Sequence, residues 1–321
     1  MSELATDSEV QVERCEPIAV ATPATIELVD VRIDHPRDAT PLLVGASLRV
    51  VPGEVVVIVG AAGVGSSRLV AAALGETPLA CGRIEVLGRD VGKLRRASLR
   101  LLRRRIGIVP QDLCLLEDRS AQLNVVLPLE IDGVPRSTTI VRAAIALARL
   151  GIAAEGSTAL GDMSASARQR VAVARALVRE PELVLADQPT SLQDGEGAEL
   201  VCESLAEAAA AGAACVVLSR DPALRDIAVR RRWRQLALIG ARLEPLGEHA
   251  LDDITLDQLL GALDSAPERM PAASAPVAAD VEARIPNLVP FPVVDRRSGP
   301  AVSASPSAHD QQVTNENENV A

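Results

Sequence analysis

The sequence predicts an α/β protein with a mainly parallel sheet core, and three observations carry that prediction. Short apolar runs alternate with stretches of helix length and composition. One run, Val55 to Val59, is made only of Val and Ile and is bounded by Gly53 and Gly60, as expected for a strand buried on both faces. Apolar residues make up 48% of the 321 residues while aromatics make up 1%, so the core is packed from Val, Leu, Ile and Ala.

The elements follow in order. Residues 1–23 read as a flexible leader, and Ile26–Ile33 and Leu42–Val50 as strands. After Val55–Val59 comes a helix from Ser66 to Leu74, closed by Gly75. Residues 92–105 carry Lys93 and six arginines, read as a solvated basic face, or else as a patch facing anionic lipid or an acidic partner. The segment from about 112 to 165 is mainly helical, most clearly over Thr139–Leu150. Helix 166–179, strand Leu183–Ala186, helix 196–211 and strand Ala214–Ser219 complete the alternation. A short helical extension is expected over 247–264. Residues 265–321, rich in Ala, Pro and Ser, are expected to be a disordered tail, and within it Ile285–Val294 is an apolar island read as linker or docking peptide.

Bulk properties narrow the function. A net charge of −10 argues against a partner held by nucleic-acid phosphates. Five cysteines without a CxxC pair read as reduced thiols of a cytosolic protein. The acidic N-terminus is unlike a signal peptide, and no apolar run approaches the roughly 18 residues of a membrane span. Any membrane role is therefore expected to come through a partner.

The chemistry centres on Gly60-Ala61-Ala62-Gly63-Val64-Gly65-Ser66-Ser67, which joins a buried strand to a helix. Glycines let backbone N–H groups approach an anion at the helix start, and the spacing fits the phosphate-loop pattern GxxxxGK[ST] at every fixed position but one. Ser66 stands where lysine belongs, so a charge-assisted bond to phosphate is replaced by a neutral one of about half the strength. Arg68 lies about 200° around the helix from Ser66 and should point away, and Lys93 is the chain's one lysine, outside the loop. Ser67 keeps the hydroxyl suited to Mg²⁺. Taken alone, this loop is as well read as an ordinary turn.

Downstream segments make a resemblance specific. Arg105-Ile106-Gly107-Ile108-Val109-Pro110-Gln111-Asp112, Met163-Ser164-Ala165-Ser166-Ala167 with its helix through Leu177, Leu183 to Asp187-Gln188-Pro189-Thr190, Ser191-Leu192-Gln193-Asp194 and Val217-Leu218-Ser219-Arg220-Asp221 stand in the order of the family's motifs. Together with the phosphate loop they resemble the ATP-binding-cassette (ABC) ATPases over residues 24–246, in the style of lipoprotein-release, macrolide-export and cell-division subunits. The resemblance implies an ABC-type P-loop fold with an antiparallel β subdomain and a helical subdomain at about 112–165. It also implies ATP and Mg²⁺ as ligands, with Mg²⁺ at Ser67, Gln111 and Asp187. Ser164 and Asp194 would join the nucleotide site from the signature and the loop after the acidic strand.

Several positions depart from the family. Gln188 replaces the glutamate that serves as general base, whose help is typically worth about 10²–10⁴-fold. Arg220 replaces the histidine that orients water, and arginine cannot shuttle a proton near neutral pH. Ala165 and Ser166 put Cβ atoms where the signature has glycines. The family's adenine-stacking aromatic would fall near Asp34 or His35, where His35 reads as a surface histidine before Pro36 or else as a weak stacking group. These departures imply weak ATP binding and little or no hydrolysis.

Under the resemblance the chain would be cytoplasmic, peripheral on the inner face of the cell membrane. It would bind a membrane permease subunit, as a homodimer or as a heterodimer with an intact ABC ATPase. Lesions on both sides of the head-to-tail interface point to a regulatory or scaffolding role. Two alternatives stand beside it. One is an active but atypical ATPase in which Arg68 or Arg220 supplies the missing charge. The other is a soluble adaptor that keeps the fold as a protein-binding platform.

Overall fold

The computed structural model of the chain describes residues 22–37, 39–60 and 66–246, the Ser66 side chain excepted. The expected leader over 1–23 (save its last two residues), loop positions 61–65, the extension over 247–264 and the tail over 265–321 lie outside the described residues.

Two sheets share the core. The larger has six strands in the order β10-β9-β3-β8-β7-β6, where β3 is Val55–Gly60, β6 Ile106–Val109, β7 Leu183–Asp187, β8 Ala214–Ser219, β9 Arg234–Ile239 and β10 Arg242–Pro245. Every pairing from β9 to β6 is parallel, and only β10 returns antiparallel. The smaller sheet is antiparallel, in the order β2-β1-β4-β5, with β1 Ile26–Asp34, β2 Pro41–Val50, β4 Cys81–Val86 and β5 Arg89–Asp90.

The apolar run Val55–Val59 shows why a strand covered on both faces is uniformly apolar. Val55, Val57 and Val59 join one buried cluster, and Val56 and Ile58 join the other. The first cluster packs the sheet against α3 (Ala121–Ile131), α4 (Arg136–Arg149), α5 (Ala165–Leu177), α6 (Gly195–Ala210) and α7 (Pro222–Arg230). The second packs the opposite face against α1 (Ser66–Ala73), α2 (Arg96–Arg103) and the antiparallel sheet. Cys202 and Cys215 are buried in the first cluster, and burial pushes both thiols up to about 12. Trp233, half-buried, packs against the same cluster with the Arg231 guanidinium 5.9 Å from its ring centre.

Helix boundaries have local causes. Ser120, Ser164, Asp194 and Asp221 each accept a backbone N–H two or three residues ahead, capping α3, α5, α6 and α7. Gly75, with φ +67°, ends the turn after α1 in the left-handed region. At Gly107 a Cβ would lie 2.5 Å from the Ala176 carbonyl oxygen, so glycine is what lets β6 approach α5.

The basic stretch over 92–105 is partly spent on internal partners. Lys93 pairs with Asp90 at 2.8 Å, Arg103 donates to the Leu74 carbonyl at 2.9 and 2.7 Å, and Arg105 pairs with Glu182. Arg95, Arg96 and Arg100 are left exposed. No helix among the described residues is long and apolar enough to cross a membrane.

Candidate functional site

The parallel strands end together on one side of the sheet, where ligands of open α/β sheets gather. Register brings the candidate residues there. Val59 of β3 lies beside Ser219 of β8, Asp187 of β7 beside Leu218, and Val109 of β6 beside Ala186. The loop after β3, the Gln188 turn, Arg220 and Gln111 therefore all emerge from neighbouring strand ends.

Ser67, Gln111 and Asp187 line a single cleft of about 820 Å³. The Ser67 hydroxyl donates to Asp187 Oδ2. Asp187 is only 3% exposed, and its other oxygen, Oδ1, is buried with no hydrogen-bond partner among the described residues. Burial pushes the Asp187 carboxyl above the ordinary carboxylate range, while the Ser67 bond and the positive charge of Arg220 oppose that rise. A buried carboxylate oxygen without a donor is costly unless a cation or water meets it. The hydroxyl and carboxylate oxygens are hard donors of the kind Mg²⁺ prefers, so this pair would suit the Mg²⁺ that the sequence resemblance implies.

Gln188 and Arg220 do not line that cleft. They form a second arrangement just beyond it. Gln188 is 5% exposed and holds φ +56°, a conformation uncommon for a residue with a side chain. Several hydrogen bonds hold it there. Its N–H donates to the Leu218 carbonyl at 2.8 Å, and its side-chain Oε1 accepts the Arg220 N–H at 3.1 Å. Its own carbonyl accepts from Gln169 Nε2 at 2.9 Å and from the Ser191 hydroxyl at 3.1 Å. A carboxylate would accept the Arg220 N–H equally well. The amide keeps the geometry and drops the basicity.

Gln169 went unmarked in the sequence. It is 1% exposed in the middle of α5, and it donates to the Gln188 carbonyl and the Ser191 hydroxyl. Its Oε1 accepts from Leu192 N at 3.0 Å and from Gln193 Nε2 at 2.9 Å. Gln193 also donates to the Ser166 carbonyl and accepts from the Ser166 hydroxyl, both at 3.0 Å. The network ties α5 to the whole turn after β7. Its sequence signal was faint, since Gln169 stands between Arg168 and Arg170 and so reads as one more solvent-facing polar position.

The remaining candidates have defined local roles. Ser164 caps α5 through the Ala167 N–H at 3.1 Å, and Asp194 caps α6 through the Gly197 N–H at 2.7 Å. Gln111 is exposed and precedes Leu113 and Cys114, both with positive φ. Arg175 of α5 donates to both of their carbonyls at 2.7 Å and so fixes that turn. Arg68 is exposed and does not line the cleft, unlike Ser67, Val70 and Ala71 of the same helix. Of the phosphate loop, Gly60 ends β3, whereas Ala61, Ala62, Gly63, Val64, Gly65 and the Ser66 side chain lie outside the described residues. His35, near the adenine position, opens a turn, its N–H donating to the Thr40 carbonyl at 2.8 Å.

Comparison with known proteins bears on the family and the fold. The family model described as ABC transporter matches residues 43–191. The lipoprotein-releasing system ATP-binding protein LolD 1 of Rhodospirillum rubrum is 38% identical over 191 residues, covering 59% of this chain and 84% of that protein. The chain belongs to the ABC transporter ATP-binding family. This ABC protein is also 38% identical over 182 residues to the methionine import ATP-binding protein MetN of Caulobacter vibrioides, covering 56% of the chain and 54% of MetN. It thus spans about half the length of the methionine-import relatives it matches. Among solved structures, the ATP-binding cassette MJ0796, in a dimeric post-hydrolysis state bound to ADP and Pi, aligns with a TM-score of 0.62 at 26% identity. That alignment covers 68% of this chain and 96% of MJ0796.

Proposed function

We propose that this ABC protein is a transporter's ATP-binding-type subunit that holds Mg·ATP weakly, hydrolyses it little or not at all, and regulates or scaffolds a membrane permease complex. The observation that carries this reading is the amide at Gln188, its oxygen accepting the Arg220 N–H where a general base would be needed. A carboxamide does not take a proton from water near neutral pH, so the general-base contribution of about 10²–10⁴-fold is absent. Ser66 in the lysine position adds weak phosphate binding to slow chemistry. The Ser67–Asp187 pair supports retained Mg²⁺ affinity. The subunit sits on the cytoplasmic side of the membrane, as a homodimer or paired with an intact ABC ATPase, and its substrate is whatever the permease carries.

Phosphate release under multiple turnover tests the reading. The wild-type protein should stay near background at millimolar Mg·ATP. The double variant Ser66→Lys, Gln188→Glu should raise release by roughly 10²-fold or more, the scale of one restored general base. Brisk turnover by the wild-type protein would overturn the reading.

A further inference from the structure

The basic stretch over 92–105 is a sequence feature that the nucleotide chemistry leaves unused. Between Asp90 and Asp112 lie Lys93, six arginines and no carboxylate, in a chain whose net charge is −10. Helix α2 carries much of this charge on a firmly anchored base. Leu102 is 2% exposed, Leu99 packs against the second buried cluster, and Arg103 donates to the Leu74 carbonyl. By the 3.6-residue period, Arg96, Ala97, Arg100, Leu101 and Arg104 fall within about 140° on the opposite face. All five are exposed.

Local carboxylates do not neutralise this face. Asp90 is paired with Lys93, Glu76 with Arg103, Asp132 with Arg104 and Arg179, and Glu182 with Arg105. The guanidiniums of Arg95, Arg96 and Arg100 enter no ion pair or hydrogen bond among the described residues. Apolar surface accompanies them. Leu101, at 61%, and Ile131, at 59%, are the most exposed large hydrophobic side chains among the described residues. Leu101 follows Arg100, and Ile131 precedes Asp132, the partner of Arg104 at 3.8 Å.

Free guanidiniums beside uncovered leucine and isoleucine match a partner that presents phosphates over an apolar layer, since arginine's planar fork fits phosphate. A nucleic acid would offer phosphates without a place for the apolar side chains, and the chain's net charge opposes it. We propose that the exposed face of α2 docks directly on an anionic lipid surface, with Arg95, Arg96 and Arg100 on headgroup phosphates and Leu101 entering the headgroup–acyl boundary. This contact needs neither nucleotide nor permease, so it stands or falls apart from the function proposed above.

Flotation of the full chain with lipid vesicles tests it, using phosphatidylcholine alone and phosphatidylcholine with one-third phosphatidylglycerol, without nucleotide. The wild-type protein should float with the anionic vesicles and not with the neutral ones, and less so as salt rises. The triple exchange Arg95→Gln, Arg96→Gln, Arg100→Gln should lower the partition coefficient roughly 100-fold, at about fivefold per arginine near such a surface. Leu101→Asn should lower it several-fold at high and low salt alike. All four residues are exposed, so melting temperatures should not move. The control exchange Arg136→Gln, Arg142→Gln, Arg242→Gln removes the same charge from exposed arginines elsewhere and should leave flotation unchanged. The proposal is wrong if the wild-type protein fails to float with anionic vesicles at low salt, if neutral vesicles carry it equally, or if the control exchange loses as much as the first. Failure to float, combined with capture on immobilised polyglutamate through the same three arginines, would reassign the face to an acidic protein.

Discussion

Asp187 separates two regions that differ in kind. On its Ser67 side lie a hydroxyl, a carboxylate and a buried oxygen that has no hydrogen-bond donor among the described residues. On its Gln188 side a tightly held turn presents an amide, which is not a base near neutral pH. Left-handed backbone, burial and the bond to Arg220 define that turn. Shape and reactivity are therefore separable properties of such a site. A fold comparison reads the first, and only the identity of single side chains reads the second.

The sharpest challenge to that contrast is Gln169→Ala. If the Gln188 side is held by the amide network, deleting a 1%-exposed side chain with four bonds should destabilise the protein by about 2–4 kcal/mol, read by chemical denaturation. A loss within experimental error of zero would mean that the turn after β7 holds itself.

Ser67→Ala probes the other side. It leaves the Asp187 carboxylate without its hydroxyl donor and should cost about 1–2 kcal/mol, together with the Mg²⁺ enhancement of nucleotide binding.

Asp187→Asn should also remove the Mg²⁺ effect, yet stabilise the ligand-free protein by about 1 kcal/mol at neutral pH by discharging a buried group. The sign of its pH dependence follows from the raised pKa. The folded wild type takes up its proton at higher pH than the unfolded chain does, whose value is near 3.8. Wild-type stability therefore falls as pH rises from that value through the raised folded one. The advantage of the Asn variant should vanish on acidification below that window, as melting curves at several pH values would record.

The smallest effect belongs to Arg105→Ala, remote from both regions. The exposed Arg105–Glu182 pair should contribute about 0–1 kcal/mol, diminished by salt.

The strands that feed the site were legible because burial on both faces leaves a continuous apolar run, as in Val55–Val59 and Leu183–Ala186. Strand β4 was not, since Cys81, Gly82 and Arg83 are exposed and only Ile84 and Val86 reach the core. The corner from α7 to β10 was hidden for a related reason. Arg230, Arg231, Arg232 and Arg234 interrupt the apolar pattern just where one element ends and the next begins. At the site, spacing located Ser67, Gln111 and Asp187, which share one cleft. Gln169 could not be found that way, because its importance lies in four partners that are distant in the chain or set by the turn after β7.

Trp233 is the chain's one tryptophan, and the chain has no tyrosine. Its intrinsic emission therefore comes from a single indole lodged between the end of α7 and β9, under Arg231. Fluorescence will report that corner alone, while far-ultraviolet dichroism averages over the helices. Melting curves from the two signals should coincide if the domain unfolds as one cooperative unit, so the native sequence comes already equipped with a local thermometer.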